Sequence, residues 1–363
     1  MIVINYGTDI VKNTTDTLIA SDISAYLKPG MNVAIKPNLV LSEPASNGAT
    51  THPEVVEGII IFLKDFGIKN IEIIESSWVG DNTKRAFKAC GYEPLSRKYN
   101  IPLIDLKSDK CTTLKHNDLS MSLCNKALHT DFLINVPVLK AHCQTRLTCN
   151  MKNLKGCIPD SEKRRFHTLG LHKPIAALNA LMKTGYCVVD GICGDLSFEE
   201  GGNPVESNRI IAGRNPLVVD SYCAELIGYR PDEIEYLTYG REMGLGEFYN
   251  SETKIIELNP ENKPIHSISR TGKAAKHRRF TIDRKFINED SACSACYSAL
   301  IYALHRLRGQ PSEKIHIGQG FKSVSGDGIG IGNCACGFSR NVPGCPPKAT
   351  DILERLQILQ TLK

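Results

Sequence analysis

The chain predicts an α/β fold, a mainly parallel sheet flanked by helices, with a small cysteine-rich module at its C-terminus. Short apolar runs alternate with segments of helical periodicity through about residue 260, the pattern of strand–helix–strand units. Several of those runs end on lysine, histidine or a carboxylate, and open parallel sheets bind ligands outside the carboxyl ends of their strands. The module is read from five cysteines in the last seventy-one residues: Cys293-Ser-Ala-Cys296, Cys334-Ala-Cys336 and Gly344-Cys345-Pro346-Pro347.

The elements follow in order. Met31–Leu39 reads as a strand. Thr51-His52-Pro53-Glu54 has the form of a capping box with proline in the first turn. Val56, Ile59, Ile60 and Leu63 then recur at helical spacing, and Gly67 stops the helix. Ile71–Ile74 is a strand, Lys84–Cys90 a short helix ending near Gly91, and Ile101–Leu106 and Phe132–Val138 are further strands. His172–Lys183 is a helix with Ile175, Leu178 and Leu181 inward, Tyr186–Val189 a strand, and Asp220–Ile227 a helix ending at Gly228. Asn250 to His277 is rich in Pro, Asn, Ser and Lys with weak periodicity, which puts a boundary near residue 280. The expected domains are therefore 1–265 and 280–363. In the second, Asp290 or Ser291 caps a helix near Cys296, Lys314–Gly318 is a strand, Gly326 to Gly332 a glycine-rich loop, and a last helix opens near Lys348.

At 363 residues the chain suits about two domains. Its 42% hydrophobic and 23% charged residues are those of a soluble globular protein. No apolar run approaches the roughly 20 residues that cross a bilayer. The N-terminus has no secretory pattern, so the expected location is cytoplasmic. Fourteen cysteines in a reducing cytoplasm are not expected to form disulfides. The nine outside the C-terminal motifs (Cys90, Cys111, Cys124, Cys143, Cys149, Cys157, Cys187, Cys193 and Cys223) show no ligand spacing and read as small buried hydrophobes. A net charge of +5 is too small to imply nucleic acid. One basic run, Arg270, Lys273, Lys276, Arg278, Arg279, Arg284 and Lys285, is either a solvated linker or a docking surface for an acidic redox protein.

Thiolates in the number found at the C-terminus select zinc or an iron–sulfur cluster over hard cations. Glycines at 326, 328, 330 and 332 let backbone approach a cluster closely, and a proline directly after a ligand cysteine recurs in ferredoxins. The reading is an iron–sulfur module holding a [4Fe-4S] cluster on Cys293, Cys296, Cys334 and Cys345, with Cys336 competing with Cys334 for one place. Structural zinc is the alternative.

At the strand ends stand Lys36 and Asn38, then Glu75 to Trp78 with the only tryptophan, then Lys140 and His142, then Asp190. His52 lies beside the capping box. Lys140, His142, His52 and Asp190 are the expected proton-handling groups. Lys36, Asn38, Lys152, Asn153 and Lys155 are expected to hold an anionic ligand. The loop Glu199-Glu200-Gly201-Gly202-Asn203-Pro204 is a further pocket-lining candidate. No P-loop, nucleophile elbow or H-E-x-x-H motif occurs.

Lys36-Pro-Asn38, Thr51-His52-Pro53, Asn135-Val-Pro-Val-Leu-Lys140-Ala-His142, Met151-Lys-Asn-Leu-Lys-Gly156, Asp190-Gly191, Gly201-Gly-Asn-Pro204 and Ala212-Gly-Arg-Asn-Pro-Leu-Val-Val-Asp220 resemble the domain of unknown function 362 family over roughly residues 30–230. The resemblance implies a bacterial or archaeal protein carrying an iron–sulfur module, with Lys36, His52, Lys140, His142, Lys152, Asn153 and Asp190 at family motif positions. It implies no reaction. The chain lacks the full ferredoxin insert of repeated C-x-x-C-x-x-C that other members carry. The expected function is an oxidoreductase passing electrons from a ferredoxin- or flavodoxin-like donor through the cluster to a small anionic substrate or cofactor at the strand ends. The alternatives are a non-catalytic electron carrier or assembly factor, and an isomerase or lyase with a structural metal. A homodimer fits as well; nucleic acid and membrane do not.

Overall fold

The computed structural model describes residues 1–264 and 284–361. Most of the basic run, Arg270 to Arg279, lies outside them. Two compact units are found. The first takes Met1–Lys163 and the described residues from His172 to 264; the second takes Arg164–Leu171 and those from 284 onward.

The first unit is built on an eight-stranded sheet. Its strands are β1 (Ile2–Tyr6), β2 (Asn32–Pro37), β3 (Asn70–Glu75) and β4 (Leu103–Asp105). A hairpin of β5 (Cys111–His116) and β6 (Leu119–Cys124) leaves the sheet, and β7 (Phe132–Val136) returns to it. A second hairpin pairs β8 (Lys140–His142) with β9 (Arg146–Thr148). Then β10 (Tyr186–Asp195), β11 (Pro204–Gly213) and β12 (Ile255–Leu258) complete the sheet. The order is β12-β1-β11-β10-β7-β2-β3-β4. Every neighbouring pair is parallel except the two made by β11.

Burial explains the sequence pattern. Val33, Ala34 and Ile35 of β2 and all of β10 are buried, and strands covered on both faces read as continuous apolar runs. One face packs Val33, Ile35, Ile71, Ile73, Val188 and Ile210 against Val56, Ile59, Ile60 and Leu63 of the helix Pro53–Asp65. That helix ends where Gly67 takes a positive φ of 96°. Its start differs from expectation. His52 is the N-cap and makes no side-chain cap bond. Thr51 is drawn into the sheet instead: its hydroxyl donates to Val136 O (2.8 Å) and accepts from Asn38 N (2.8 Å). The helix expected over Asp220–Ile227 begins earlier, at Pro216, because Asn215 caps it by accepting from Leu217 N and Val218 N.

The second unit has four parallel strands, β13 (Ile287–Glu289), β14 (Ile315–Ile317), β15 (Ser325–Ile331) and β16 (Gly337–Val342), with helices Ser294–Arg306 and Ala349–Thr361. The glycine-rich stretch is therefore mostly strand, not loop. Ile329 and Ile331 are buried, and a β-carbon on Gly330 would fall 2.2 Å from Ala335 O. Glycine here lets the chain fold back tightly on itself. The N-cap of Ser294–Arg306 is Cys293 rather than Asp290 or Ser291. Among the described residues no helix is long and apolar enough to cross a membrane.

Gly330→Ala is expected to lower stability by roughly 1–3 kcal/mol through this overlap. Gly326→Ala, whose nearest neighbour would be Phe338 at 3.5 Å, is expected to stay within about 0.5 kcal/mol. Urea-denaturation midpoints of the two variants check both.

Candidate functional site

The strand ends of the first unit hold three polar groupings. The first joins β2 to β3. Lys36 Nζ donates to Glu75 Oε2 (2.8 Å), Pro37 O (2.9 Å) and Asn153 Oδ1 (3.3 Å), and both charged side chains are almost wholly buried. Glu75 also accepts from Leu39 N (3.2 Å) and Ser76 N (2.7 Å). Gly156 covers the pair: a β-carbon there would fall 2.5 Å from Lys36 Nζ and 2.3 Å from Glu75 Oε1. Lys36, expected to bind an anion, is thus neutralised within the protein. Asn153 belongs to the same cluster, its amide donating to Asn135 Oδ1 (2.8 Å). Asn38 is buried beside it, with Oδ1 accepting from Val40 N (3.3 Å).

The second grouping pairs His52 with Asp190. Asp190 Oδ2 accepts from His52 N (2.7 Å) and lies 2.8 Å from His52 Nδ1, while Oδ1 accepts from Ile192 N (3.0 Å). Burial pulls the His52 pKa down, but the Asp190 carboxylate outweighs it and the net shift is upward. A carboxylate on Nδ1 fixes the tautomer and leaves Nε2 as the site that exchanges a proton. No described residue offers Nε2 a hydrogen bond.

The third grouping forms where β8 meets the 196–203 loop. Lys140 Nζ donates to Ala49 O (2.7 Å) and Glu199 O (2.6 Å). Burial, then the neighbouring Lys152, pulls the Lys140 ammonium down to about 7. Burial likewise brings Lys152 to about 8. Glu199 Oε2 accepts from Cys143 N (3.0 Å), and Oε1 accepts from Cys143 Sγ (2.9 Å) and lies 3.5 Å from His142 Nε2. His142 Nδ1 accepts from Gln144 N (3.1 Å) and Thr145 N (3.2 Å), so the neutral ring carries its proton on Nε2, toward Glu199. His142, Cys143 and Glu199 offer ligand atoms within 4.8 Å of one another. Imidazole, thiolate and carboxylate together suit a borderline transition metal once their protons are lost.

Sequence reasoning missed the role of Cys143, which is half-buried and bonded to Glu199 rather than packed as an apolar filler. It also missed Asp195, whose carboxylate accepts from Ser197 N, Phe198 N and Asn203 N at 2.7–2.9 Å and so shapes the loop that delivers Glu199. Asp220 is a third omission. It accepts from Asn150 N, Asn150 Nδ2 and Met151 N, which fixes the turn carrying Lys152 and Asn153; burial raises its carboxyl to about 6. Asp195 two residues before Ser197 is a readable turn signal. Lys155 is half-buried on the turn Leu154–Cys157. A cleft of about 560 Å³ beside these groups is lined by Ser42, Asn47, Trp78, Asp81, Arg85 and Glu200.

The second unit carries the remaining cysteines. Ile329 pairs with Arg340 and Ile331 with Val342, each eleven residues on, and Asn333 N donates to Gly344 O at the same spacing (2.9 Å). Cys334 and Cys345 are also eleven residues apart, and each directly follows one member of that hydrogen-bonded pair. Burial raises the Cys334 thiol, and Cys345 and Cys336 push it the same way. Cys296 lies beside the Asn333–Gly344 pair: a β-carbon on Gly332 would fall 3.6 Å from Cys296 Sγ and 3.3 Å from Gly344 O. Cys293 and Cys296 share the N-terminus of Ser294–Arg306, where free N–H groups favour thiolate. Cys336 and Cys345 are exposed; Cys293, Cys296 and Cys334 are half-buried.

Two outcomes follow. Lys36→Ala, which strands the Glu75 carboxylate in the interior, is expected to cost roughly 3–5 kcal/mol by urea unfolding. The pH dependence of stability has a definite sign. The Lys140 pKa falls from 10.5 to about 7 on folding, so between those limits the unfolded chain binds more protons and stability rises with pH. Lys140→Met is expected to reduce that rise between pH 7 and 9, measured by urea unfolding at the two pH values.

The curated thylakoid-associated protein sll1697 of Synechocystis sp. is 25% identical over 234 residues, which are 61% of this chain and 70% of that protein. The lactate racemase apoprotein from Thermoanaerobacterium thermosaccharolyticum aligns at 15% identity with a TM-score of 0.36, over 58% of this chain and 54% of that one. A protein from Thermotoga maritima aligns at 11% identity, also with a TM-score of 0.36, over 51% of each chain. This chain thus spans about half the length of each of these two solved structures. The family model for a domain of unknown function, DUF362, matches residues 33–225. That stretch takes in Lys36, His52, Lys140, His142, Lys152 and Asp190 and more than half of the chain, which therefore belongs to the DUF362 family.

Proposed function

We propose that this chain is an iron–sulfur oxidoreductase. Cys293, Cys296, Cys334 and Cys345 would hold a [4Fe-4S] cluster, a ferredoxin- or flavodoxin-like protein would supply electrons, and a small anionic compound would bind at the strand ends of the first unit. The observation that supports this reading is the eleven-residue register, in which Asn333 and Gly344, the residues just before Cys334 and Cys345, are hydrogen-bonded beside Cys296. An all-sulfur donor set and Gly332, whose positive φ of 83° carries the backbone past Cys296, fit a cluster wrapped closely by backbone. When bound, such a cluster supplies one-electron transfer. In the first unit, His52 Nε2, oriented by Asp190, is the group to take or give a proton. Lys140, close to half-neutral near pH 7, is a second base. With Lys36 paired to Glu75, Lys152 and Lys155 would hold the anion.

A second reading is favoured by the His52–Asp190 pair and the His142–Cys143–Glu199 cluster, which are acid–base equipment independent of electrons. In it the chain is an isomerase or lyase, and the C-terminal metal is a structural staple.

Anaerobic purification followed by iron, sulfide and zinc analysis separates the readings. A brown protein with about four iron and four sulfide per chain and a paramagnetic signal after dithionite is expected. Colourless, iron-free protein, or zinc in place of iron, overturns the oxidoreductase reading. Cys345→Ala is expected to fold and lose most of the iron, whereas Cys336→Ala is expected to keep it.

A further inference from the structure

The hairpin β5–β6 carries two cysteines that the redox reading leaves unused. Cys111 and Cys124 are direct cross-strand partners. A two-residue turn, Asn117-Asp118, closes the hairpin between the paired residues His116 and Leu119, with Asn117 at a φ of 50°. The closing pair of such a turn is hydrogen-bonded, and pairs alternate from there. Counting back, Thr113–Ser122 and Cys111–Cys124 fall on non-hydrogen-bonded pairs, where side chains stand closest and Cα atoms are about 4.5 Å apart. The Thr113 and Ser122 hydroxyls lie 2.9 Å apart, and the Cys111 and Cys124 sulfurs 4.0 Å apart.

A disulfide accepts Cα separations from about 4.4 Å upward and a sulfur–sulfur bond near 2.05 Å. The Cys111–Cys124 pair needs only side-chain rotation to reach it. The two thiols are also unequal. Cys111 is exposed, whereas Cys124 is buried with its S–H on Leu106 O (3.5 Å), and burial raises its pKa. The chain neighbours of the pair, Lys110 and Asn125, line a cleft of about 730 Å³ together with Lys69, Lys126 and His129. Glu72 and Asp109 line it too. Lys126 lies 3.5 Å from Glu72, and the remaining lysines, Lys69 and Lys110, suit a small disulfide bearing carboxylates.

We propose that Cys111 and Cys124 form a reversible dithiol–disulfide site for an anionic low-molecular-weight disulfide. The Cys111 thiolate attacks one sulfur of the incoming disulfide, whose S–S bond breaks, and one thiol leaves with the electron pair and a proton. Cys124 then gives up its proton and attacks Cys111 Sγ, expelling the second thiol. Two cysteine thiols are oxidised to one disulfide, and the incoming disulfide is reduced to two thiols. Exposure makes Cys111 the entry point, and a buried partner acts only on the mixed disulfide already beside it.

The test treats the full-length protein with oxidised glutathione, alkylates the remaining thiols and maps the peptides by mass spectrometry. Wild type is expected to yield Cys111 and Cys124 peptides joined and lacking two hydrogens. Cys111 alkylation should fall by at least about tenfold and return with dithiothreitol. Cys124→Ser is expected to stop at a glutathione adduct on Cys111, and Cys111→Ser to leave Cys124 unmodified. A stable adduct on Cys111 of wild type, a bond from Cys124 to Cys157, or both thiols still open to alkylation overturns the proposal. None of these readouts depends on the C-terminal metal.

Discussion

Two opposite charges buried against each other, Lys36 and Glu75, set the geometry of the strand ends. Glu75 closes β3 and Lys36 is the last residue but one of β2, so their contact fixes the two strands at the edge where ligands of parallel sheets bind. Neither charge is tolerable alone in that interior. The remaining hydrogen-bonding capacity is met by Asn153 and backbone from both strands. Satisfying the pair in turn requires the 150–157 segment to lie directly over it, and Gly156 is the residue whose missing side chain permits this. Asp220 anchors the start of that segment from the other side. The position of Lys152 therefore depends on an ion pair whose members lie 116 and 77 residues earlier in the chain.

Much of the first unit was legible in the sequence because its physics is local. Buried parallel strands advertise themselves as apolar runs, and Gly67 and Gly228 end helices by taking a backbone conformation that suits glycine. The groups at strand ends were legible as a set but not as individuals. Lys36 and Lys140 look alike in sequence. One is neutralised by a carboxylate thirty-nine residues on; the other donates to two carbonyl oxygens, and burial lowers its pKa to about 7. Which fate applies is decided by tertiary partners. Thr51 shows the same limit: its local pattern asked for a helix cap, and the sheet claimed its hydroxyl.

In the second unit the cysteines, both helices and β14 were legible, and the glycine-rich strand β15 was not. Alternating glycines without bulky neighbours resemble a loop, because strand propensity rests on side chains that pack on a pleated surface. Here the packing is supplied by Ile315, Ile317, Ile329 and Ile331, while glycine serves the close return of the backbone. Asn341 adds to this closure, its side-chain amide donating to Gly330 O, Gly332 O and Ala335 O at 3.0–3.1 Å.

The coil that aligns Asn333 with Gly344 makes chain length itself a determinant. A side chain exchanged between those points changes one contact. One residue inserted or deleted there would rotate every following position to the opposite face of the sheet and carry Cys345 away from Cys334. Divergence in this stretch should therefore proceed by replacement at constant spacing, with length variation displaced to the connection between β14 and β15.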